Sequence, residues 1–215
     1  MKKLHALVLG ATGATGHQIV KRLLQDSNYC KVSTFVRTKP NLSHEKLTIH
    51  QIDFSRLNDY KTLVNGDVLF SALGTTLKDA GSKDQQYLVD FTYQYEFAKM
   101  ASENGVTSYS LVSSLGSNKN APFFYPKIKG ALEEAVKELN FKRIHIFQPP
   151  FLIRPPHLIR NGEKIGLKIL KFFNQIGLLK SHKPLAVAVL AEKMIKEVES
   201  QQSLGQKTYK PSDIF

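Results

Sequence analysis

The sequence predicts an α/β fold: one doubly wound parallel sheet formed within residues 1–215, with a small C-terminal cap over residues 149–183. Three observations predict it. Short apolar runs alternate with helical patterns, the order expected when each strand is followed by a crossover helix. Three spaced glycines stand between the first apolar run and the first helix. A length of 215 residues, 42% of them hydrophobic, supplies one well-buried core and is short for two.

The elements follow in order. Leu4–Leu9 is the first strand, nearly all apolar and so expected to be buried on both faces. Thr15–Leu24 reads as the first helix, and Val32–Val36, Leu47–Ile52 and Val68–Ser71 as strands two to four. Asp84–Asn104 has helical spacing, with Tyr87, Phe91, Tyr95 and Ala98 on one stripe, and stops at Gly105. Ser108–Val112 is the fifth strand, Ala131–Leu139 a helix, Arg143–Phe147 the sixth strand, and Pro184–Glu199 holds a last helix. Pro149–Lys183 breaks this rhythm. It is rich in proline and basic residues, and its amphipathic stretch Lys164–Ile176 is expected to pack on the domain as a cap over the substrate rather than lie on a membrane.

Charge and composition narrow the function. The formal net charge is +12, and Lys119–Lys183 carries 13 Lys or Arg against Glu133, Glu134, Glu138 and Glu163. Such a field would draw an anionic small-molecule substrate, although a lysine-rich solvated surface explains it equally. Nucleic-acid binding is not expected, because neither an aromatic-interleaved basic motif nor a helix-turn-helix pattern accompanies the charge. No apolar run approaches the roughly 20 residues of a bilayer span, so integral membrane association is not expected. Met1-Lys2-Lys3 and the apolar run after it imitate a secretion signal, but glycines and threonines follow where a cleavage region should lie. Cys30 is the only cysteine, which excludes an internal disulfide and suits the cytoplasm. No Cys/His cluster has zinc spacing, and no metal is expected.

The glycine turn carries the first chemistry. In Gly10-Ala11-Thr12-Gly13-Ala14-Thr15-Gly16, Gly10 allows a tight turn, Gly13 lets backbone approach a pyrophosphate, and Gly16 lets helix and strand pack closely. The amides at the helix start, around Ala14 and Thr15, would bind the phosphates, and Thr12 and Thr15 could add hydroxyl donors. At the end of the second strand, an Asp or Glu would select a free ribose 2′-hydroxyl. Val36-Arg37-Thr38-Lys39 stands there instead, and the Arg37 guanidinium suits a 2′-phosphate, so NADP(H) is the expected cofactor. Asp53 and Phe54, ending the third strand, are expected at the adenine edge. Leu73 and Gly74, after the fourth, are expected beside the ribose.

With those glycines, Val112-Ser113-Ser114 and Tyr125-Pro126-Lys127-Ile128-Lys129-Gly130, the chain resembles a short-chain dehydrogenase/reductase, a Rossmann-fold family. It is most similar to the small atypical members of the Tat-interacting oxidoreductase-like family. The resemblance implies Tyr125 as general acid, Lys129 favouring the ionised phenol and holding the nicotinamide ribose, and Ser114 orienting the substrate carbonyl. It also implies that Pro149, after the sixth strand, lines the nicotinamide. Tyr95 and Lys99 share the Tyr-x-x-x-Lys spacing, but Tyr125 follows the serine strand, where the family places its tyrosine. Two departures stand out. Asp84–Asn104 lacks an obvious counterpart of the relay asparagine of classical members, and the chain ends before the larger C-terminal domain of the sugar-nucleotide epimerases. The implied activity is NADP(H)-dependent oxidation or reduction of a small alcohol or carbonyl. The alternative is a non-catalytic NADP(H)-binding regulator or redox sensor, in which Tyr125, Lys129 and the serines would be dispensable.

Overall fold

Apolar runs form parallel strands here because successive side chains enter opposite faces of a sheet that is covered on both sides. A computed structural model describes residues 3–154, 184–200 and 204–215. Its main sheet contains β1 (Leu4–Leu9), β2 (Tyr29–Val36), β3 (Leu47–Gln51), β4 (Val68–Ser71), β5 (Ser108–Val112), β6 (Arg143–Phe147) and β9 (Gly205–Tyr209). All neighbouring pairs are parallel, in the order β3-β2-β1-β4-β5-β6-β9. The order reverses between β1 and β4, which opens a crevice at the carboxyl ends of those strands. β7 (Leu152–Ile153) and β8 (Leu185–Ala186) form a separate two-stranded parallel pair.

The strand β1 shows how the sheet is held. Ala6, Leu7, Val8 and Leu9 are all fully buried. Ala6 and Val8 face α1 (Ala14–Gln25) and α6 (Val187–Glu199), meeting Ile19, Leu23, Leu190 and Met194. Leu7 and Leu9 face the opposite layer, with Phe97, Ala101, Leu132 and Val136 from α4 (Tyr93–Glu103) and α5 (Phe124–Lys137). Each fully buried Leu, Ile or Phe contributes about 1.5–3 kcal/mol relative to leaving it exposed. A shift of one residue in register would exchange the two layers, so these cores fix the strand ends that border the crevice.

The structure adds elements to the expected set. A 3₁₀ segment, Phe54–Leu63, joins β3 to β4, and α2 (Leu77–Ala80) follows β4. The expected helix 84–104 is three pieces: α3 (Lys83–Tyr87), a π-helical turn (Leu88–Thr92) and α4. Its buried face holds Gln86, Asp90, Gln94, Phe97 and Ala98. The aromatic stripe instead stacks along the side, Tyr87 on Phe91 at 4.9 Å and Phe91 on Tyr95 at 5.9 Å. α5 starts at Phe124, seven residues before the expected Ala131, and so takes in Tyr125 and Lys129. Pro126 fits its first turn, where no backbone donor is needed. A seventh strand, β9, adds to the edge of β6 and leads into α7 (Pro211–Ile214); there Tyr209 stacks on Phe147 at 4.4 Å. Of the expected cap, residues 155–183 lie outside the described residues, and with them all of Lys164–Ile176.

Candidate active site

The glycine turn is built from close backbone contacts. Gly10 has φ +81°, and a Cβ there would lie 2.5 Å from the Ala72 carbonyl carbon and the Leu73 nitrogen. The turn thus rests directly on the chain leaving β4. A Cβ on Gly16 would lie 2.1 Å from the Gly10 oxygen, so α1 can only meet β1 through a glycine. The Gly13 N–H donates to the Gly10 carbonyl at 3.0 Å, and Gly13 caps α1 with no side-chain hydrogen bond. No acidic residue lies in the first turn of this 12-residue helix. The amides of Ala14, Thr15 and Gly16 therefore have no intrahelical acceptor, and the helix dipole adds partial positive charge where they point.

Two adjoining cavities line the crevice. The larger, about 460 Å³, is bordered by Thr12, Arg37, Lys39 and Phe54, and no carboxylate is among its lining residues. The smaller, about 130 Å³, is bordered by Ala14, Thr15, Ser113, Tyr125, Lys129 and Arg154. Gly13, Ala72, Leu73 and Gly74 belong to both, which makes one continuous cleft. Gly10 lines only the larger.

Some expected residues stand back from these walls. The Asp53 carboxylate accepts from the Ser55 amide at 2.9 Å and from its hydroxyl at 2.7 Å, capping the 3₁₀ segment; these bonds hold its pKa below the usual carboxylate range. Pro149 is buried, and its carbonyl accepts from the Leu115 N–H at 3.0 Å, tying the loop after β6 to the loop after β5.

The two serines follow directly on the end of β5 and differ in where they face. Ser113, 5% exposed, borders the smaller cavity, whereas the Ser114 hydroxyl donates to the Leu115 carbonyl at 3.3 Å and borders neither cavity. Alternation at a strand end sends one residue of a pair inward and the next away, and here the inward one is Ser113 rather than the expected Ser114. The Ser113 hydroxyl donates to Glu133 and lies 3.0 Å from that of Ser117. The Gln148 amide donates to both Glu133 oxygens, at 3.1 and 3.0 Å.

Helix α5 brings Tyr125, 38% exposed, and Lys129, 2% exposed, to one face. Burial lowers the pKa of Lys129, and the carboxylates of Asp90 and Glu133 oppose that shift. Asp90 arrives on the π-helical turn. Its two oxygens accept from the Thr75 N–H at 3.3 and 3.4 Å, and its carbonyl accepts from the Gln94 amide, which in turn accepts from Ser71. Gly130 fits α5 against the loop after β5: a Cβ there would lie 2.2 Å from the Asn118 carbonyl carbon. Tyr95 borders neither cavity.

Sequence reasoning gave no role to Asp90, Gln94, Glu133, Gln148 and Arg154, and met Gly130 only as the last residue of the Tyr-to-Lys motif. A faint signal existed for two sets. Tyr125, Lys129 and Glu133 recur at intervals of four, as do Gln86, Asp90 and Gln94, which marks one helical face in each case. Among the described residues, no group of three His, Cys, Asp or Glu could hold a metal ion. Nor is any helix among the described residues long and apolar enough to cross a membrane.

Fold and cleft together define a Rossmann domain of the dinucleotide-binding class. Residues 10–144 match the profile of the NAD(P)H-binding family, and the chain belongs to that family. It is similar to Protein HTATIP2 of Rattus norvegicus, 34% identical over 172 residues, which cover 78% of this chain and 71% of that protein. It is likewise similar to Protein FMP52-1, mitochondrial, of Scheffersomyces stipitis, 36% identical over 155 residues, or 70% and 68%. Among solved structures, the Bordetella bronchiseptica enzyme WbmH in complex with NAD+ superposes with a TM-score of 0.73 at 16% identity, covering 97% of this chain and 75% of that one. The UDP-glucose 4-epimerase of Thermotoga maritima, solved with UDP-glucose, gives 0.70 at 11% identity, covering 96% and 76%. At such identities the likeness is one of fold, and it is the fold of short-chain dehydrogenase/reductase-type enzymes. A nicotinamide dinucleotide is the cofactor this family implies. The bare amides of α1, the Gly13 backbone at the junction of the two cavities and the uncapped helix dipole all fit its pyrophosphate.

Proposed function

We propose that the chain is an NADP(H)-dependent oxidoreductase that reduces a small carbonyl, or oxidises the corresponding alcohol. The observation that carries the reading is the continuous cleft: it starts at Arg37 and Phe54, passes the N-terminal end of α1, and finishes where Tyr125, Lys129 and Ser113 border one cavity. Bound nicotinamide would supply or accept the hydride. Tyr125 gives its phenolic proton to the substrate oxygen as negative charge develops there. The Lys129 ammonium favours the phenolate left behind and holds the nicotinamide ribose. Ser113, which borders the cavity, takes the orienting role in place of Ser114. Arg37, joined by Lys39, pairs with the 2′-phosphate, and the absence of any carboxylate from that cavity's lining supports NADP(H) over NAD(H). Arg154 borders the substrate end and suits an anionic group on the substrate.

A screen of small carbonyl compounds with NADPH, run on wild type and Tyr125→Phe, tests this. The expected result is turnover by wild type, reduced by at least about 100-fold in the variant. Undiminished turnover in Tyr125→Phe removes the proposed acid. Cofactor binding with no turnover by either protein would favour the regulatory alternative. For the compartment, the lone Cys30 supports the cytoplasm, and the names of the fungal relatives point to mitochondria. Fractionating cells that express the tagged chain separates the two.

A further inference from the structure

Four cationic side chains line the cleft, and no carboxylate lines it. Arg37 and Lys39 border the larger cavity, where the reading above places the 2′-phosphate. Lys129 borders the smaller one, but its charge already faces carboxylates inside the protein: it is 2% exposed, and Asp90 and Glu133 both act on it. Arg154 is the fourth. It borders only the smaller cavity, together with Tyr125, and the cofactor roles assigned above do not include it.

The chain after β6 shows how Arg154 is held there. β7 pairs with β8, Leu152 against Leu185 and Ile153 against Ala186, and the Leu185 N–H donates to the Phe151 carbonyl at 2.9 Å. Leu185 is buried in the same core as Leu190 and Met194, so β8 anchors β7 to the domain. Successive residues of an extended chain face opposite ways. Leu152 and Arg154 both border the smaller cavity and Ile153 does not, which puts the two lining residues about 7 Å apart along the chain. An apolar side chain and a guanidinium thus stand side by side on the wall of a cavity of about 130 Å³ that Tyr125 also borders.

We propose that Arg154 is a specificity-determining residue and that the substrate is an oxo acid, or the matching hydroxy acid, whose carboxylate pairs with the guanidinium while its reacting oxygen meets Tyr125. The proposal rests on the oxidoreductase reading above and adds the substrate class to it. A guanidinium presents parallel N–H donors that match the two oxygens of a carboxylate. One cation balances one carboxylate. A phosphate dianion would bring a second charge, and Leu152 beside the guanidinium offers it no donor. In the reduction, the carbonyl carbon gains a hydride as the nicotinamide is oxidised, Tyr125 gives its proton to the oxygen, and solvent restores that proton. The carboxylate is unchanged throughout, and Arg154 only holds it. The formal net charge of +12 draws such an anion toward the chain.

The test compares pyruvate, acetoacetate and levulinate, oxo acids of increasing carbonyl-to-carboxylate spacing, with their methyl esters and with dihydroxyacetone phosphate. Each is offered with NADPH to wild type, Arg154→Leu and Arg154→Lys. For wild type, kcat/KM for the preferred oxo acid should exceed that for its ester by about 10–100-fold. Arg154→Leu should lose that ratio, mainly through KM, and Arg154→Lys should keep part of it, because a point charge replaces a fork. Melting temperatures with and without NADPH check that each variant folds and binds cofactor. Equal kcat/KM for acid and ester in wild type, or a ratio that survives in Arg154→Leu, overturns the proposal. So does a preference for dihydroxyacetone phosphate over every oxo acid. A second measurement needs no turnover: calorimetric titration of pyruvate, acetoacetate or levulinate into protein saturated with NADP+, which cannot reduce them. Binding should weaken by about 10–100-fold in Arg154→Leu, and unchanged binding overturns the assignment. If wild type reduces the esters without preferring the acids, the substrate class alone fails. If it reduces no carbonyl at all, the oxidoreductase reading fails and takes the substrate class with it.

Discussion

Replacing Gly130 by alanine tests how tightly the catalytic helix is seated. A Cβ at this position would lie 2.2 Å from the Asn118 carbonyl carbon, 2.3 Å from the Lys119 nitrogen and 2.5 Å from the Asn118 Cα. Ordinary contact begins near 3.4 Å, so helix and loop must separate by about 1.2 Å. All three atoms are backbone, and no side-chain rotation relieves them. The separation also strains the Asn118 N–H bond to the Pro126 carbonyl, 3.1 Å long, which ties the loop to the helix start. Overpacking of this kind costs about 1–3 kcal/mol and the hydrogen bond about 1 kcal/mol, against a gain of about 1 kcal/mol from alanine's better helix propensity. The net loss of about 1–3 kcal/mol lowers the melting temperature by about 3–10 °C in a chain of this size. A displacement near 1 Å between Lys129 and Ser113 should reduce turnover by roughly 100-fold. Gly116→Ala serves as control: φ is +80° there and nothing lies within 4 Å, so only the conformational strain of about 1–2 kcal/mol applies. Thermal melts and NADPH-dependent turnover read both effects. A Gly130→Ala protein that melts within about 1 °C of wild type and keeps its turnover would refute the packing argument.

Three further outcomes follow from the site and the core. NADPH should raise the melting temperature more than NADH does, and Arg37→Asp should erase or reverse that order; equal shifts in wild type would count against the 2′-phosphate assignment. Asp90→Asn removes a group that opposes the burial-driven fall in the Lys129 pKa, so Lys129 should lose its proton at lower pH. The alkaline loss of activity should then move to lower pH, and an unmoved limb would show that Asp90 does not act on the ammonium. The third concerns His5, which burial, aided by Lys31 and opposed by Asp67, holds down at about 4 against an ordinary 6.5. Between those values the unfolded chain binds a proton that the folded one does not. Stability is therefore complete above about 6.5 and declines as pH falls toward 4. His5→Gln should flatten that part of a melting-temperature profile.

Much of the sheet was readable because its strands are buried on both faces. Leu4–Leu9, Val68–Ser71, Ser108–Val112 and Arg143–Phe147 appear within the expected bounds, and the glycine turn lies where strand meets helix. β9 escaped because an edge strand needs little apolar content. In Gly205-Gln206-Lys207-Thr208-Tyr209 only Tyr209 is buried, and pairing with β6 rather than hydrophobicity defines it. The helix before β5 misled in the opposite sense. Helical periodicity selects Tyr87, Phe91 and Tyr95, yet the face turned inward beside the cleft carries Gln86, Asp90 and Gln94. Polar residues become interior residues there because Ser71 and the Thr75 amide reach them, and those partners come from β4 and the chain just beyond it. The same holds for Glu133 and Gln148, whose meeting depends on α5 crossing the end of β6. Choosing between Ser113 and Ser114 required the pleat of the last residues of β5, a difference of one position that composition does not encode.

The final strand reaches further into the molecule than its place at the sheet edge suggests. The Tyr209 carbonyl accepts from the Gln148 N–H at 2.9 Å, and Gln148 is the residue whose amide grips Glu133. Trimming the chain before Gly205 would release that backbone, loosen the grip on the carboxylate and leave Ser113 without a fixed acceptor. A tail that looks expendable for expression or tagging is thus four residues in series from the proposed chemistry: 209, 148, 133, 113. Shortening it should unseat Ser113 at the cleft well before it unfolds the domain.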